Sequence, residues 1–407
     1  MSPDSPNPLV LGLSSGVLEP SQGDVQTDGI GTYTREIGRH MSKLGVDVRL
    51  IGSPKRSGLR LVQPTVATAS FPLPLGWLGA ASSALRIPTP GASRALSGID
   101  LYHATDLIVP RLRRTPVVAT VYDAIPLAYP EWTSQRLRRT KNWLLRDWIR
   151  RADLIIAISE ATVGDLVTHF GLPRERVRVV PLGVDDSWFE EPDATTIERT
   201  LQRHGLERGC FLHVGTLQPR KNLDRLVTAY ELLPAGVRRR RQLVLVGKYG
   251  WAADGLRRRL GALREASRVL WLDYLPQFEL RALYATAGAF VFPSLAEGFG
   301  LPVLEAMAAG LRIIANDLPA LREVAGDHAT FIDGRNVDAL SAAMAAIDTT
   351  DESPAAQAGR RSRAKQFDWR RTAARTVEAY REVVPGRTFP SADAAPVAAA
   401  PPLFDTE

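Results

Sequence analysis

Two glutamates and a glycine-rich turn stand together at the start of one predicted helix, in the run Pro293-Ser294-Leu295-Ala296-Glu297-Gly298-Phe299-Gly300-Leu301-Pro302-Val303-Leu304-Glu305-Ala306-Met307-Ala308-Ala309-Gly310. Pro302 suits the first helical position, because its missing N–H would have no intrahelical partner there, and Gly310 suits the stop. That places Glu297 in the loop and Glu305 in the first turn. Between them the backbone N–H groups from Phe299 to Val303 face the helix mouth, where the dipole favours an anion, most naturally a phosphate. Gly298 and Gly300 carry no side chains to block an approaching ligand. Carboxylates do not suit a bare phosphate but do accept hydrogen bonds from hydroxyls. A ligand that fits both features carries phosphate and polyol together, as a sugar nucleotide does. The plainer alternative is a tight turn before a helix with acids near its start.

A second candidate is Val214-Gly215-Thr216-Leu217-Gln218-Pro219-Arg220-Lys221-Asn222-Leu223, just past an expected strand end. Arg220 and Lys221 could neutralise a diphosphate there, the guanidinium by a fork of hydrogen bonds and the ammonium as a compact charge; the alternative is an exposed basic turn. In Ala119-Thr120-Val121-Tyr122-Asp123-Ala124-Ile125-Pro126-Leu127, Asp123 stands at a strand's carboxyl end, where it could handle a proton, orient a hydroxyl or cap the loop. His103, in Leu101-Tyr102-His103-Ala104-Thr105-Asp106, stands at another strand end, as a substrate contact or a satisfied structural histidine. Asp28-Gly29-Ile30-Gly31-Thr32-Tyr33 precedes an expected amphipathic helix through Met41. It is not a dinucleotide fingerprint, since the third glycine would fall at Thr34 and the gap from the strand is too long, so a phosphate loop and an ordinary helix start both remain open.

The elements that must position these residues alternate short apolar runs with helical patterns, the signature of parallel sheets covered by helices. Strands are expected at Leu9 to Ser14, Val46 to Ile51, Val117 to Val121, Leu154 to Ile158 and Val177 to Val180. A second series is expected at Phe211 to Val214, Leu243 to Val246, Val269 to Leu272, Ala289 to Phe292, Ile313 to Ala315 and Thr330 to Ile332, with helices over Leu223 to Leu233 and Leu280 to Thr286. Pro181-Leu182-Gly183-Val184-Asp185 reads as the break between domains. The expected fold class is α/β, two doubly wound Rossmann-like domains facing across a cleft. Their expected bounds are 1–185 and 186–368, with a C-terminal helix over 369–384 packing back on the first domain and a disordered tail over 385–407. The Pro- and Gly-rich stretch from Phe71 to Pro90 takes no assignment. Ligands in open sheets of this kind bind beyond the carboxyl ends of the strands.

The 407 residues hold 45% hydrophobic and 23% charged side chains, an ordinary soluble balance with no apolar run of the ~20 residues a membrane span needs. Met1 to Pro8 lack a signal peptide's basic start and apolar core, and the single Cys210 lies in an apolar run, so a cytoplasmic protein is expected. From Arg111 to Arg151 ten basic residues face three acidic ones, a local excess equal to the net charge of +7. Within it, Arg136 to Arg151 reads as a basic helix carrying Trp143 and Trp148. Such a helix can rest on an anionic membrane surface, peripheral on the inner face of the plasma membrane; equally, its tryptophans can pack in the core while its arginines are solvated. No zinc-finger spacing or aromatic RNA-binding motif accompanies the charge, so nucleic acid is not an expected partner.

Taken together these motifs resemble the large retaining glycosyltransferase family 4, which has the two-domain GT-B fold. Glu297 and Glu305 form its Glu-x7-Glu pattern, and Gly215 to Asn222, Ala157 to Glu160, Pro181 to Val184 and Tyr122 to Pro126 stand in the family's order, over about Gly29 to Tyr380. The resemblance implies transfer of a sugar from a nucleotide donor to a hydroxyl acceptor with retention, with no metal and no resident cofactor. It implies that Glu297 contacts donor-sugar hydroxyls and Glu305 the ribose. Gly298, Phe299, Gly300 and Leu301 hold nucleotide and sugar by their backbone, Arg220 and Lys221 meet the diphosphate, Gly215 and Thr216 also belong to the donor site, and Gly31 lets the N-terminal loop approach the donor phosphate. On the acceptor side the candidates are Asp123, Tyr122 at the position of the family's usual His, and His103 from its place at a strand end. Two positions depart from many relatives: Tyr122 stands where they have His, and Thr216 where they have Arg. The wording around Gly215 to Asn222 and Ile125 to Pro130 is similar to the branch of bacterial surface-polysaccharide mannosyltransferases, which makes GDP-mannose the expected donor and a glycan or lipid-linked oligosaccharide the expected acceptor. Readings of other classes are a sugar-nucleotide-binding protein without turnover and an epimerase acting on the donor itself.

Overall fold

The computed structural model describes residues 9–16, 18, 29–52, 68–132, 137–250, 254–266, 268–385, 387 and 389. Met1 to Pro8, Asp28 and the proline- and alanine-rich tail lie outside the described residues, apart from its first few positions. The chain divides into two compact units, Met1–Gly183 with Trp369–Glu407, and Val184–Asp368.

The first unit holds a seven-stranded, all-parallel sheet: β1 (Val10–Ser14), β2 (Asp47–Gly52), β3 (Thr68–Ser70), β4 (Leu101–Ala104), β5 (Val117–Val121), β6 (Leu154–Ala157) and β7 (Val177–Val179), in the order β3-β2-β1-β4-β5-β6-β7. The second holds β8 (Phe211–Val214), β9 (Leu243–Val246), β10 (Val269–Leu272), β11 (Ala289–Phe292), β12 (Ile313–Asn316) and β13 (Thr330–Ile332), again parallel, in the order β10-β9-β8-β11-β12-β13. Strands β4, β5, β6, β9, β11 and β12 are buried at every position. This is why they read as unbroken apolar runs rather than alternating ones: helices cover both faces of a parallel sheet.

In both sheets the chain winds outward in one direction and then returns to the middle to wind the other way. The reversal lies between β1 and β4 in the first sheet and between β8 and β11 in the second. Right-handed crossovers put the helices before and after a reversal on opposite faces, which opens a crevice beyond the strands' carboxyl ends. The loops that follow β8 and β11 carry Arg220, Lys221 and Glu297, so the topology itself selects them.

Three segments refine the sequence reading. The unassigned stretch contains a helix over Leu75–Leu85, anchored by buried Leu78 and by Gly79, whose missing Cβ would lie 3.2 Å from the Trp148 indole. The basic helix spans Arg138–Arg150 and divides its two tryptophans. Trp148 packs and donates to Ser83 Oγ at 3.2 Å, as the core alternative expects, while Trp143 stays 48% exposed. The C-terminal helix Trp369–Val383 packs in the first unit through buried Trp369 and Tyr380, its Thr372 hydroxyl donating to the Pro181 carbonyl at 2.8 Å. Among the described residues no helix is long and apolar enough to cross a membrane.

Candidate donor site

In the second unit the turn after β8 and the loop after β11 are joined by their backbones. The Leu295 N–H donates to the Arg220 carbonyl at 2.7 Å, and Arg220 Nη1 donates to the Ala296 carbonyl at 3.1 Å. Asn222 sits in the left-handed region at φ 60°, a conformation asparagine tolerates, and its buried amide donates to the carbonyls of Pro293 (3.1 Å) and Gly334 (2.7 Å). Asn316, at the end of β12, donates to the Ser294 carbonyl at 2.8 Å and accepts from the Gly334 N–H at 2.8 Å. Four segments are thus held by two asparagine side chains. The glycine after β8 is held just as closely, because a Cβ on Gly247 would lie 2.1 Å from the Gly215 carbonyl oxygen, too near for any side chain.

This frame brings Arg220, Lys221 and Glu297 together. Lys221 Nζ lies 2.6 Å from Glu297 Oε1 and Arg220 Nη1 lies 2.9 Å from Oε2, with the Glu297 side chain 9% exposed. Burial pushes the Glu297 carboxyl up, but Arg220, Lys221 and the hydrogen bond from Lys221 outweigh it and hold the pKa at about 2. Lys221 also lies over the Phe292 ring, 4.7 Å from its centroid. Beneath them His213 is fully buried, its Nδ1 2.9 Å from the Val291 carbonyl and its ring stacked on Phe292. Burial pushes its pKa down to about 4, so the ring is neutral beside the lysine. The two cations expected to meet a diphosphate are thus in place, but engaged by the first glutamate.

The second glutamate belongs to a different environment. The helix begins at Leu301, so Pro302 takes its second position and Glu305 its second turn, one step further in than expected. The turn before it tightens: the Val303 N–H is spent on the Gly300 carbonyl at 2.9 Å, which shortens the run of N–H groups expected at the helix mouth. Gly300, at φ 104°, makes that turn, where a Cβ would meet Leu321 at 2.5 Å. The Phe299 side chain is buried edge-on to Phe367 (5.9 Å). Gly310, at φ 81°, ends the helix as expected. Glu305 has Tyr284 as its neighbour, the hydroxyl 3.4 Å from Oε2, and burial raises its carboxyl to about 8 despite that bond, so at neutral pH it is largely protonated. A neutral acid can both donate to and accept from a hydroxyl.

In the first unit the structure separates the expected residues. His103 is fully buried, Nδ1 2.6 Å from the Tyr380 hydroxyl and Nε2 2.8 Å from Thr120 Oγ1, and burial pushes its pKa to about 3. Both nitrogens are occupied inside the core, so the structural reading replaces the acceptor contact. The Tyr122 hydroxyl donates to the Thr105 carbonyl at 2.9 Å and its ring meets Tyr33 edge-on, which turns it inward. Asp123 caps its loop, Oδ1 accepting from the Ile125 N–H at 3.0 Å, and remains partly exposed at the end of β5. Gly31 lies inside the helix Gly29–Lys43 and is buried, rather than in the loop that precedes it. Asn222, Asn316, His213 and Tyr284 take part in the site without having been assigned a role; an asparagine directly after a strand was the available signal for Asn316.

Two doubly wound sheets, with Arg220, Lys221 and a helix start at the reversal point of the second, define an α/β protein of two Rossmann-like halves. The profile described as "Glycosyl transferases group 1" matches residues 196–364, and that described as "Glycosyltransferase Family 4" matches residues 27–188. Escherichia coli O-antigen chain mannosyltransferase B is 32% identical over 69% of this chain and 74% of its own length. The MMP alpha-(1->4)-mannosyltransferase of Mycolicibacterium hassiacum is 28% identical over 88% and 95%. Among solved structures, sucrose-phosphate synthase from Thermosynechococcus elongatus superposes with a TM-score of 0.71 at 22% identity, covering 92% of this chain and 99% of that one. Anabaena HepE in complex with UDP and glucose gives 0.70 at 20%, covering 92% and 100%. The chain belongs to glycosyltransferase family 4 and is a glycosyltransferase with the GT-B fold.

Proposed function

We propose that this enzyme transfers mannose from GDP-mannose, with retention, to a hydroxyl of a glycan or lipid-linked oligosaccharide in bacterial polysaccharide synthesis. It would work without a metal or resident cofactor, peripherally at the cytoplasmic face of an anionic membrane. The observation that carries the donor half is the pair of cations, Arg220 and Lys221, fixed beside a glycine-lined turn at the reversal point. The mannosyltransferases among the similar proteins support the choice of sugar, and the basic helix supports the membrane.

In this reading the diphosphate competes with Glu297 for Lys221 and Arg220, and the released carboxylate accepts hydrogen bonds from donor-sugar hydroxyls. As the anomeric C–O bond breaks, its electron pair passes to the diphosphate, and cations aimed there stabilise the transition state more than the ground state. The acceptor oxygen bonds the anomeric carbon on the same face while its proton passes to a phosphate oxygen, so no protein nucleophile is required. Asp123 is the candidate to orient the acceptor hydroxyl.

A thermal-shift panel of sugar nucleotides tests the donor. A ligand at 100 times its dissociation constant adds ~2.7 kcal/mol of stability. GDP-mannose and GDP are expected to shift the transition; a shift with a uridine or thymidine donor alone overturns the donor assignment, and a shift without turnover in acceptor extract supports a binding protein instead.

A further inference from the structure

A cavity of about 490 Å³ in the first unit is lined by Arg138, Arg139, Arg146 and Arg150 together with Trp143 and Leu127. Arg139, Trp143, Arg146 and Arg150 stand at i, i+4, i+7 and i+11 and therefore form one stripe of the helix Arg138–Arg150. Two of the arginines are oriented by the protein: Arg146 Nε donates to the His169 carbonyl at 2.8 Å and Arg150 Nε to the Phe170 carbonyl at 2.6 Å. The acid on this wall, Asp147, is committed elsewhere. Its Oδ2 accepts from Ser83 at 2.8 Å and from Arg151 at 2.5 Å, and its Oδ1 from Arg111 at 3.3 Å. The lining thus keeps a strong positive excess. Its other component is apolar: Leu127 and Pro130 from the segment after β5, and the half-exposed Trp143 indole.

Guanidinium groups, two of them anchored, suit phosphate oxygens, while an indole and aliphatic side chains beside them suit hydrocarbon. We propose that this cavity binds the phosphate head of an amphiphile, with its chain leaving past Trp143. The proposal deepens the membrane-surface reading and rests on it for its setting: it replaces diffuse attraction of a basic helix to an anionic bilayer by a defined pocket for one phosphate bearing one or more hydrocarbon chains. The phosphate is that of a bilayer lipid or that of a lipid-linked acceptor, which share this chemistry.

The test is calorimetric titration of the full chain with decyl phosphate below its micelle-forming concentration, alongside decanol and inorganic phosphate. Co-sedimentation with phosphatidylcholine vesicles, with or without about one-fifth phosphatidic acid, runs in parallel. Decyl phosphate is expected to bind, and decanol and inorganic phosphate to bind at least about tenfold more weakly. Arg139→Glu, at an exposed position that leaves the carbonyl bonds of Arg146 and Arg150 intact, is expected to lower affinity for decyl phosphate about tenfold or more. Trp143→Ser is expected to weaken decyl phosphate while leaving inorganic phosphate unchanged. Binding to acidic vesicles as well assigns the phosphate to a bilayer lipid; binding to decyl phosphate without vesicle binding assigns it to a lipid-linked acceptor and removes the membrane reading. Vesicle binding without binding of the monomer, equal affinity for inorganic and decyl phosphate, or indifference to both variants overturns the pocket. No arm uses a sugar donor, so failure here is separable from failure of the donor assignment.

Discussion

Lys221 Nζ lies 2.6 Å from Glu297 Oε1, so the cation proposed to meet the diphosphate is paired with the carboxylate proposed to meet a sugar hydroxyl. Arg220 completes the cluster at 2.9 Å on the other oxygen. A buried ion pair of this kind contributes little net stability against an apolar replacement, because desolvation offsets the attraction, but removing one partner strands the other. The cluster is therefore a poised charge balance rather than a stability element.

Lys221→Met is expected to lower stability by about 3 kcal/mol, since Glu297 then keeps only Arg220 in a buried setting. In the double variant with Glu297→Gln much of that loss should return, giving a coupling energy above ~1 kcal/mol in urea unfolding. Strictly additive losses would show that the pair seen here is not formed in solution. The Glu297→Gln change alone should lower turnover more than nucleotide affinity.

Glu305 should set a pH dependence of its own. Its folded-state pKa near 8, against 4.5 for an ordinary glutamate, means that the folded protein holds the extra proton throughout the interval between them. Its contribution to stability is complete below about 4.5 and is lost as pH rises through 8, with a slope of at most ~1.4 kcal/mol per pH unit. Glu305→Gln, neutral at every pH, should flatten that slope between pH 5 and 8 in urea melts. Glu297 works in the opposite sense, its contribution being lost as pH falls from 4.5 toward 2, so the two windows do not overlap. Glu305→Ala should weaken nucleotide binding; an unchanged affinity would remove the ribose contact.

Gly247 tests the frame rather than the charges. Gly247→Ala places a methyl group 2.1 Å from the Gly215 carbonyl oxygen, and a backbone atom cannot step aside as a side chain can. The turn after β8 should shift and nucleotide affinity should fall at least about tenfold, about 1.4 kcal/mol. Gly255→Ala, in the helix Asp254–Ala266 with open space around it, is the control and should gain up to ~1 kcal/mol. Equal affinity in the two variants would show that the Gly215 turn does not shape the donor site.

The sheets were legible because buried parallel strands are continuous apolar runs, and eleven of the thirteen overlap closely with runs such as Phe211–Val214 and Ala289–Phe292. Strand β3, only Thr68–Ser70, carries too little pattern, and the helix Leu75–Leu85 contains Gly76, Gly79, Ser82 and Ser83, which depress helix propensity until Leu78 and Trp148 supply packing.

At the candidate site, residue types alone singled out Glu297, Glu305, Arg220 and Lys221, because a phosphate and polyol ligand would demand cations, carboxylates and bare backbone. Those demands are local in sequence. The partnerships were not local: Lys221 and Glu297 are 76 residues apart and meet only because β8 and β11 flank the reversal in strand order. The same holds for His103, whose type and place at a strand end left a ligand contact and a core residue equally open. Its distant partner Tyr380 decided the matter, since a ring with both nitrogens bonded in the core has none to offer a substrate. The sequence by itself determined which chemistry the chain carries; tertiary structure decided which group neutralises which, because burial and pairing energies depend on neighbours that only folding brings within reach.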